Sequence, residues 1–262
     1  MIKIGVENMD KKEIQHTIAD ISLLAAMTAL VTPFVLSTSS SDLYRPVSDS
    51  SGQVMAIISD SAAYPGGWIT FTLLSMVALF RNNLPSQVLL KRIALYALIF
   101  LIGFLGKNAI KQLTESPRPY TEVMTQELLL PNPMHFYKLD KRQQQELIER
   151  IDGKISHWRT DFWQDEKNFA FPSGHTVFAA TCLLFFGGIF IRQQRFLLAS
   201  SLVIWASLVA YSRVWLGMHR PADLFGGIVF VAILALFLPL LSKKAFEWLP
   251  VQYRRHWFKL SL

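Results

Sequence analysis

The chain has 262 residues, 52% of them hydrophobic and only 17% charged, where soluble proteins average about 25% charged. Its net charge of +7 is carried by short segments between apolar blocks, each close to the ~20 residues that cross a bilayer. That placement speaks for membrane topology and against nucleic-acid binding, and a single cysteine, Cys182, excludes an intramolecular disulfide.

Residues 1–18 are polar, with both signs of charge. Residues 16–36 form the first apolar block. Glu7, Asp10, Glu13 and Asp20 make a poor start for a secretory signal, so the block reads as retained. Residues 37–64 read as a Ser/Asp-rich loop, 65–80 as a second, short block, and 81–92 as a basic turn. A third block, 93–110, ends in Lys107 and Lys111. Residues 112–171 are polar, with Pro117, Pro119, Pro131 and Pro133 near their start. Blocks four, five and six are 174–191, 196–211 and 224–241, with a tight basic turn at 192–195, and residues 243–262 are a basic tail.

Six spans place both termini on one side. Lys3, Lys11 and Lys12, then Arg81, Lys91 and Arg92, then Arg192 and Arg195, then the tail cations share that side, against Arg45 alone on the first opposite connection. The positive-inside rule makes the first side cytoplasmic. The expectation is one all-α integral-membrane domain, 1–262. It has six transmembrane helices and a small helical extracytoplasmic insert, 120–171, between helices 3 and 4. Within the insert, Leu147, Ile148 and Ile151 have helical spacing, and Trp158, Phe162 and Trp163 continue an amphipathic pattern. Two readings stand: a lid lying in the headgroup region, or a cap packed on the bundle.

This topology brings three distant stretches to the outer helix ends. The first runs from Lys111 to Pro119, where Pro117 and Pro119 stiffen the chain around Arg118. A rigidly presented guanidinium suits bidentate contact with phosphate oxygens, and Lys111 adds a point charge. Lys107, one turn earlier, reads instead as a lysine snorkelling at the membrane boundary. The second stretch is Pro172-Ser173-Gly174-His175. Ser173 reads as a helix N-cap, Gly174 leaves space for an anion at free backbone N–H groups, and His175 is placed to protonate a leaving oxygen. The third runs from Ser212 to Asp223. Pro221 suits the first turn of a helix, from which Asp223 reaches one ring nitrogen of His219 and leaves the other free to attack. A plain helix cap would also explain Asp223 taken alone.

Together, Lys111, Arg118 and Arg213 with a helix N-terminus make a site for a dianionic phosphate. His219 attacks phosphorus to form a phosphohistidine, and His175 serves as acid and then as base for water. The three cations do the work of Mg²⁺, so no metal or other cofactor is expected. Competing readings are a phosphotransferase on the same site, a Ser-His-Asp hydrolase without a nucleophile elbow, a metal site opposed by the nearby cations, and a non-catalytic lipid transporter.

K-x6-RP at Lys111 to Pro119, PSGH at Pro172 to His175 and SR-x5-H-x3-D at Ser212 to Asp223 resemble, complete and in order, the three-part signature of the type 2 phosphatidic acid phosphatase superfamily. The resemblance implies phosphate contact by Lys111, Arg118, Ser173, Gly174 and Arg213, acid–base work by His175, a nucleophilic His219 and an orienting Asp223. It also implies six helices, metal independence and a lipid phosphate as substrate. The longer matches around Phe169 and Leu216 point to its bacterial inner-membrane branch. There the expected substrates are phosphatidylglycerol phosphate, phosphatidate, diacylglycerol pyrophosphate and undecaprenyl pyrophosphate.

Overall fold

The computed structural model describes residues 11–80 and 86–247, and its regular structure is helical throughout. The basic segment at 1–10, the start of the basic turn at 81–85 and the tail beyond 247 lie outside the described residues. All six apolar blocks fall on helices: α1 (Lys11–Ser37), α3 (Gly66–Leu79), α4 (Ser86–Thr114), α8 and α9 (Gly174–Cys182 and Gly188–Arg192, joined by a π-helical turn at Leu183–Gly187), α10 (Phe196–Trp215) and α11 (Pro221–Glu247).

Among the described residues three helices are long and apolar enough to cross a membrane: Thr17–Ser37, Gly174–Arg192 and Phe196–Trp215. Gly66–Leu79 and Pro221–Leu236 are shorter apolar helices. At about 1.5 Å per residue, the 14 residues of α3 fall short of a hydrocarbon core about 30 Å thick.

The Gly174–Arg192 rod is the axis of the bundle. Of its most apolar window 83% is buried, against 28% for Thr17–Ser37 and 50% for Phe196–Trp215. Small residues allow this. Ala179, Ala180 and Cys182 are fully buried, and a side chain at Gly187 would meet Leu23 at 2.9 Å, so α1 approaches closely there. α1, α4, α10 and α11 pack around the rod, sharing a core of aliphatic and phenylalanine side chains. At the far end of the rod Arg192 Nη1 pairs with Asp20 Oδ1 of α1 at 3.1 Å.

The expected loop at 37–64 is not irregular. It holds a 3₁₀ turn (Ser40–Tyr44) and α2 (Asp49–Asp60), capped by Ser48, whose hydroxyl accepts from Ser51 N at 3.3 Å. Its Ser/Asp content is what an N-cap and first turn require.

Between α4 and α8 lie α5 (Pro119–Gln126), a 3₁₀ turn (Pro133–Lys138), α6 (Lys141–Ile151) and α7 (His157–Asp165). Asp140 and Gln143 form a reciprocal capping box at the start of α6. This segment has its own core: Tyr120, Phe136, Ile148, Ile151 and Trp163 are buried together with Leu43, Leu216 and Met218. Trp163 stacks on Tyr120 at 5.1 Å and donates to Leu216 O at 2.8 Å. The insert thus turns Trp163 inward, onto the turn that follows α10.

Candidate active site

The site forms where the C-terminal ends of α4 and α10 meet the N-terminal ends of α8 and α11. α10 ends at Trp215, and Gly217, at φ +71°, turns the chain. Met218 N and His219 N both donate to Arg213 O, at 3.0 and 3.1 Å. Pro221 then starts α11, which places Asp223 in its first turn. His219 Nδ1 lies 3.3 Å from Asp223 Oδ2, and the same oxygen accepts from Arg220 N at 2.9 Å. The pair is almost fully enclosed, with 1% of the His219 side chain and 3% of the Asp223 side chain exposed. Burial first, then the charges of Arg118, Lys111 and Arg213, push the His219 pKa well below its ordinary value. The ring is therefore neutral at pH 7.

Arg118 approaches the other ring nitrogen. Its Nη1 is 3.4 Å from His219 Nε2 and donates to Met218 O at 3.2 Å. Its Nε donates to Asn168 O at 2.7 Å, and its Nη2 to Asn168 Oδ1 at 2.5 Å and Glu166 Oε2 at 3.0 Å. Arg220 ties the first and third stretches together, donating to Pro117 O at 2.5 Å and Glu122 Oε1 at 2.6 Å. Arg213 donates to Ser59 Oγ at 2.5 Å and Glu166 Oε1 at 2.6 Å. Lys111 Nζ donates to Phe169 O and reaches Asn168 Oδ1 and Ala170 O at 3.4 Å.

Ser173 caps α8, with its hydroxyl accepting from Thr176 N at 3.4 Å, and its own N–H donates to Asp223 O at 3.0 Å. Phe171, just before this stretch, lies against Gly226 of α11, where any side chain would collide with its ring. His175 Nδ1 lies 3.7 Å from Glu166 Oε1. His175 Nε2 and Arg213 Nε are buried without a hydrogen-bond partner among the described residues.

All eight residues singled out in the sequence therefore gather at one end of the bundle. A chain of contacts runs from His219 Nε2 through Arg118 and Glu166 to His175 Nδ1. Glu166 was not anticipated. It lies in the polar insert, seven residues before Ser173, and nothing in its spacing distinguishes it from its acidic neighbours. Burial alone would raise its pKa, but the positive groups around it, Arg213 first, hold it well below the usual carboxylate range. Lys107 lies beside this site as well: its Nζ is 3.4 Å from where a Cβ on Gly174 would be, an ordinary contact distance.

Residues 92–247 match the family model described as PAP2 superfamily. Phosphatidylglycerophosphatase B of Haemophilus influenzae is 30% identical over 198 residues, which cover 72% of this chain and 81% of that protein. Phosphatidylglycerophosphatase B of Escherichia coli K12 is 31% identical over 170 residues, covering 64% of this chain and 66% of that protein. The Shigella flexneri protein of the same name matches to the same extent.

Proposed function

The chain belongs to the PAP2 superfamily, and from that premise we propose that it is a membrane lipid phosphatase that removes a terminal phosphate through a phosphohistidine. One observation carries the reading: a carboxylate, Glu166, is clasped by two guanidiniums with 0% side-chain exposure, beside a neutral histidine aligned by a carboxylate. Two buried arginines and an aligned imidazole around one bound anionic group are what an in-line displacement at phosphorus requires.

The substrate phosphate takes the place of the Glu166 carboxylate, and Arg118, Arg213 and Lys111 hold its oxygens. The first N–H groups of α8, at Gly174 and His175, add donors free of intrahelical bonds, and Ser173 fixes that helix start. Asp223 holds the proton on His219 Nδ1, so Nε2 attacks. The N–P bond forms as the P–O bond to the lipid breaks, and His175 gives its proton to the departing oxygen. His175 then takes a proton from water as the water oxygen attacks phosphorus, the N–P bond breaks and phosphate leaves. No metal or other cofactor takes part, because the cations supply the charge compensation.

The relatives' name supports phosphatidylglycerol phosphate as a substrate. Phosphatidate, diacylglycerol pyrophosphate and undecaprenyl pyrophosphate present the same terminal group. Our reading is six crossings with cytoplasmic termini and the site at the extracytoplasmic face of a bacterial inner membrane; the placement of Lys and Arg supports that orientation.

The test is a rapid-quench reaction of the purified protein with phosphatidate carrying a labelled phosphate. Label bound to protein, stable in alkali and lost in acid, is expected from the wild type and absent from His219→Ala, together with phosphate release. Undiminished turnover by His219→Ala would refute the assignment.

A further inference from the structure

We propose that Lys107 is a specificity-determining residue that holds the inner phosphate of a lipid diphosphate, adjoining the position taken by the terminal phosphoryl group. The inference rests on the phosphatase reading above and names a substrate class for it.

Lys107 and Lys111 are four residues apart on α4, so they lie one above the other on the same helix face. Their surroundings differ. Lys111 is enclosed by oxygens of Asn168, Phe169 and Ala170, and Arg118 and Arg213 are occupied by Glu166. Lys107 has only Asn108 Oδ1, at 3.4 Å, and its ammonium sits 4.8 Å from the centre of the Phe104 ring. Among the described residues no carboxylate lies within ion-pair distance of it. Its ammonium has donors to spare, and Arg213 has one more in its Nε, unpartnered among the described residues.

Its position is specific. The stem and ammonium of Lys107 lie against Gly174, at 3.4 to 3.8 Å from where a Cβ would be, next to His175 in the chain. Its charge acts on His175, Glu166 and Arg118. In an in-line displacement the leaving oxygen departs opposite the attacking Nε2 of His219, on the side of the acid, His175. A leaving group held there passes beside Lys107.

The two substrate types differ at that point. From a lipid monophosphate an alcohol leaves, and one proton from His175 completes it. From a lipid diphosphate the leaving group is itself a phosphate monoester. The bond between the terminal phosphorus and the bridging oxygen breaks, and that oxygen stays on the inner phosphorus with the electron pair and the proton from His175. The inner phosphate carries charge in both ground and transition states, and an ammonium with free donors compensates it.

The experiment uses the purified full chain in detergent micelles with phosphatidate and diacylglycerol pyrophosphate of identical acyl chains. Wild type, Lys107→Gln and Lys107→Arg are compared. The expected result is that Lys107→Gln lowers the diphosphate-to-monophosphate ratio of kcat/KM by about ten-fold or more, as one charge-assisted hydrogen bond to phosphate would, and that Lys107→Arg restores most of it. Inhibition by methylenediphosphonate weakens by a similar factor in Lys107→Gln, while inhibition by vanadate changes far less. Equal losses on the two lipids and the two inhibitors would overturn the assignment, and so would no loss on either. A wild type that cleaves neither lipid would instead refute the phosphatase reading itself.

Discussion

Glu166 Oε1 lies 2.6 Å from Nη2 of Arg213, a guanidinium with no exposed side-chain surface. The carboxylate neutralises a cation that has no other acidic partner within ion-pair distance among the described residues. On the proposed function a phosphate would displace it, so Glu166 would both stabilise the cluster of cations and compete with the substrate. Glu166→Gln should lower the KM for a lipid phosphate and tighten inhibition by vanadate. Without an anion it should lose about 3–5 kcal/mol of stability, the cost of leaving buried charge uncompensated. Thermal unfolding followed with and without vanadate measures both effects, and vanadate should recover most of the loss.

Asp223→Asn leaves the shape of the pair but removes the carboxylate that fixes the tautomer of His219. By analogy with aligned His–Asp pairs elsewhere, kcat should fall on the order of 10²- to 10⁴-fold with little change in KM. Steady-state kinetics on phosphatidate give the split.

The buried, neutral His219 makes stability depend on pH. Its folded pKa lies below the ordinary value of 6.5, so the unfolded chain binds the extra proton first as pH falls. Its contribution is complete above about pH 6.5 and is lost on acidification below that. Glu166, whose folded pKa is also depressed, contributes fully above the ordinary carboxylate range near pH 4.3 and fades only below it. The unfolding temperature should therefore decline as pH falls from 6.5 to 5. That decline should be smaller in His219→Gln.

Gly217→Ala puts a side chain at φ +71° and within 2.9 Å of Leu43. Backbone strain costs about 1 kcal/mol, and the contact adds to it. The turn that carries His219 is displaced as well, so activity should fall more than stability does. Unfolding temperature and kcat measured on one preparation separate the two.

Trp163→Ala removes the ring that stacks on Tyr120 and anchors Leu216 O. A loss of about 3–5 kcal/mol is expected for a large buried aromatic. Limited proteolysis should then cut within residues 120–171 before the helices of the bundle.

The apolar blocks and the three motifs were legible because each rests on a strong local signal: a run of hydrophobic residues, a proline beside an arginine, a cap before a helix. α2 was missed because Ser48, Asp49 and Ser50 were read as loop composition, when Ser48 is a cap. Glu166 was missed for a different reason. Its role comes from tertiary contact with Arg118 and Arg213, 48 and 47 residues away, and no spacing rule registers that. The two readings of the insert were inseparable in sequence because an amphipathic stripe serves a lipid surface and a protein core alike. Phe136 and Trp163 are buried within the insert, and both readings accommodate that.

The hydrogen bond from Ser173 N to Asp223 O, 3.0 Å long, ties the start of α8, which carries His175, to the first turn of α11, next to His219, through main chain alone. Bilayers that thin or thicken force helices to tilt and slide. Here that hydrogen bond opposes sliding of α8 past α11, which helps to hold the joined helix ends together against the elasticity of the lipid around them.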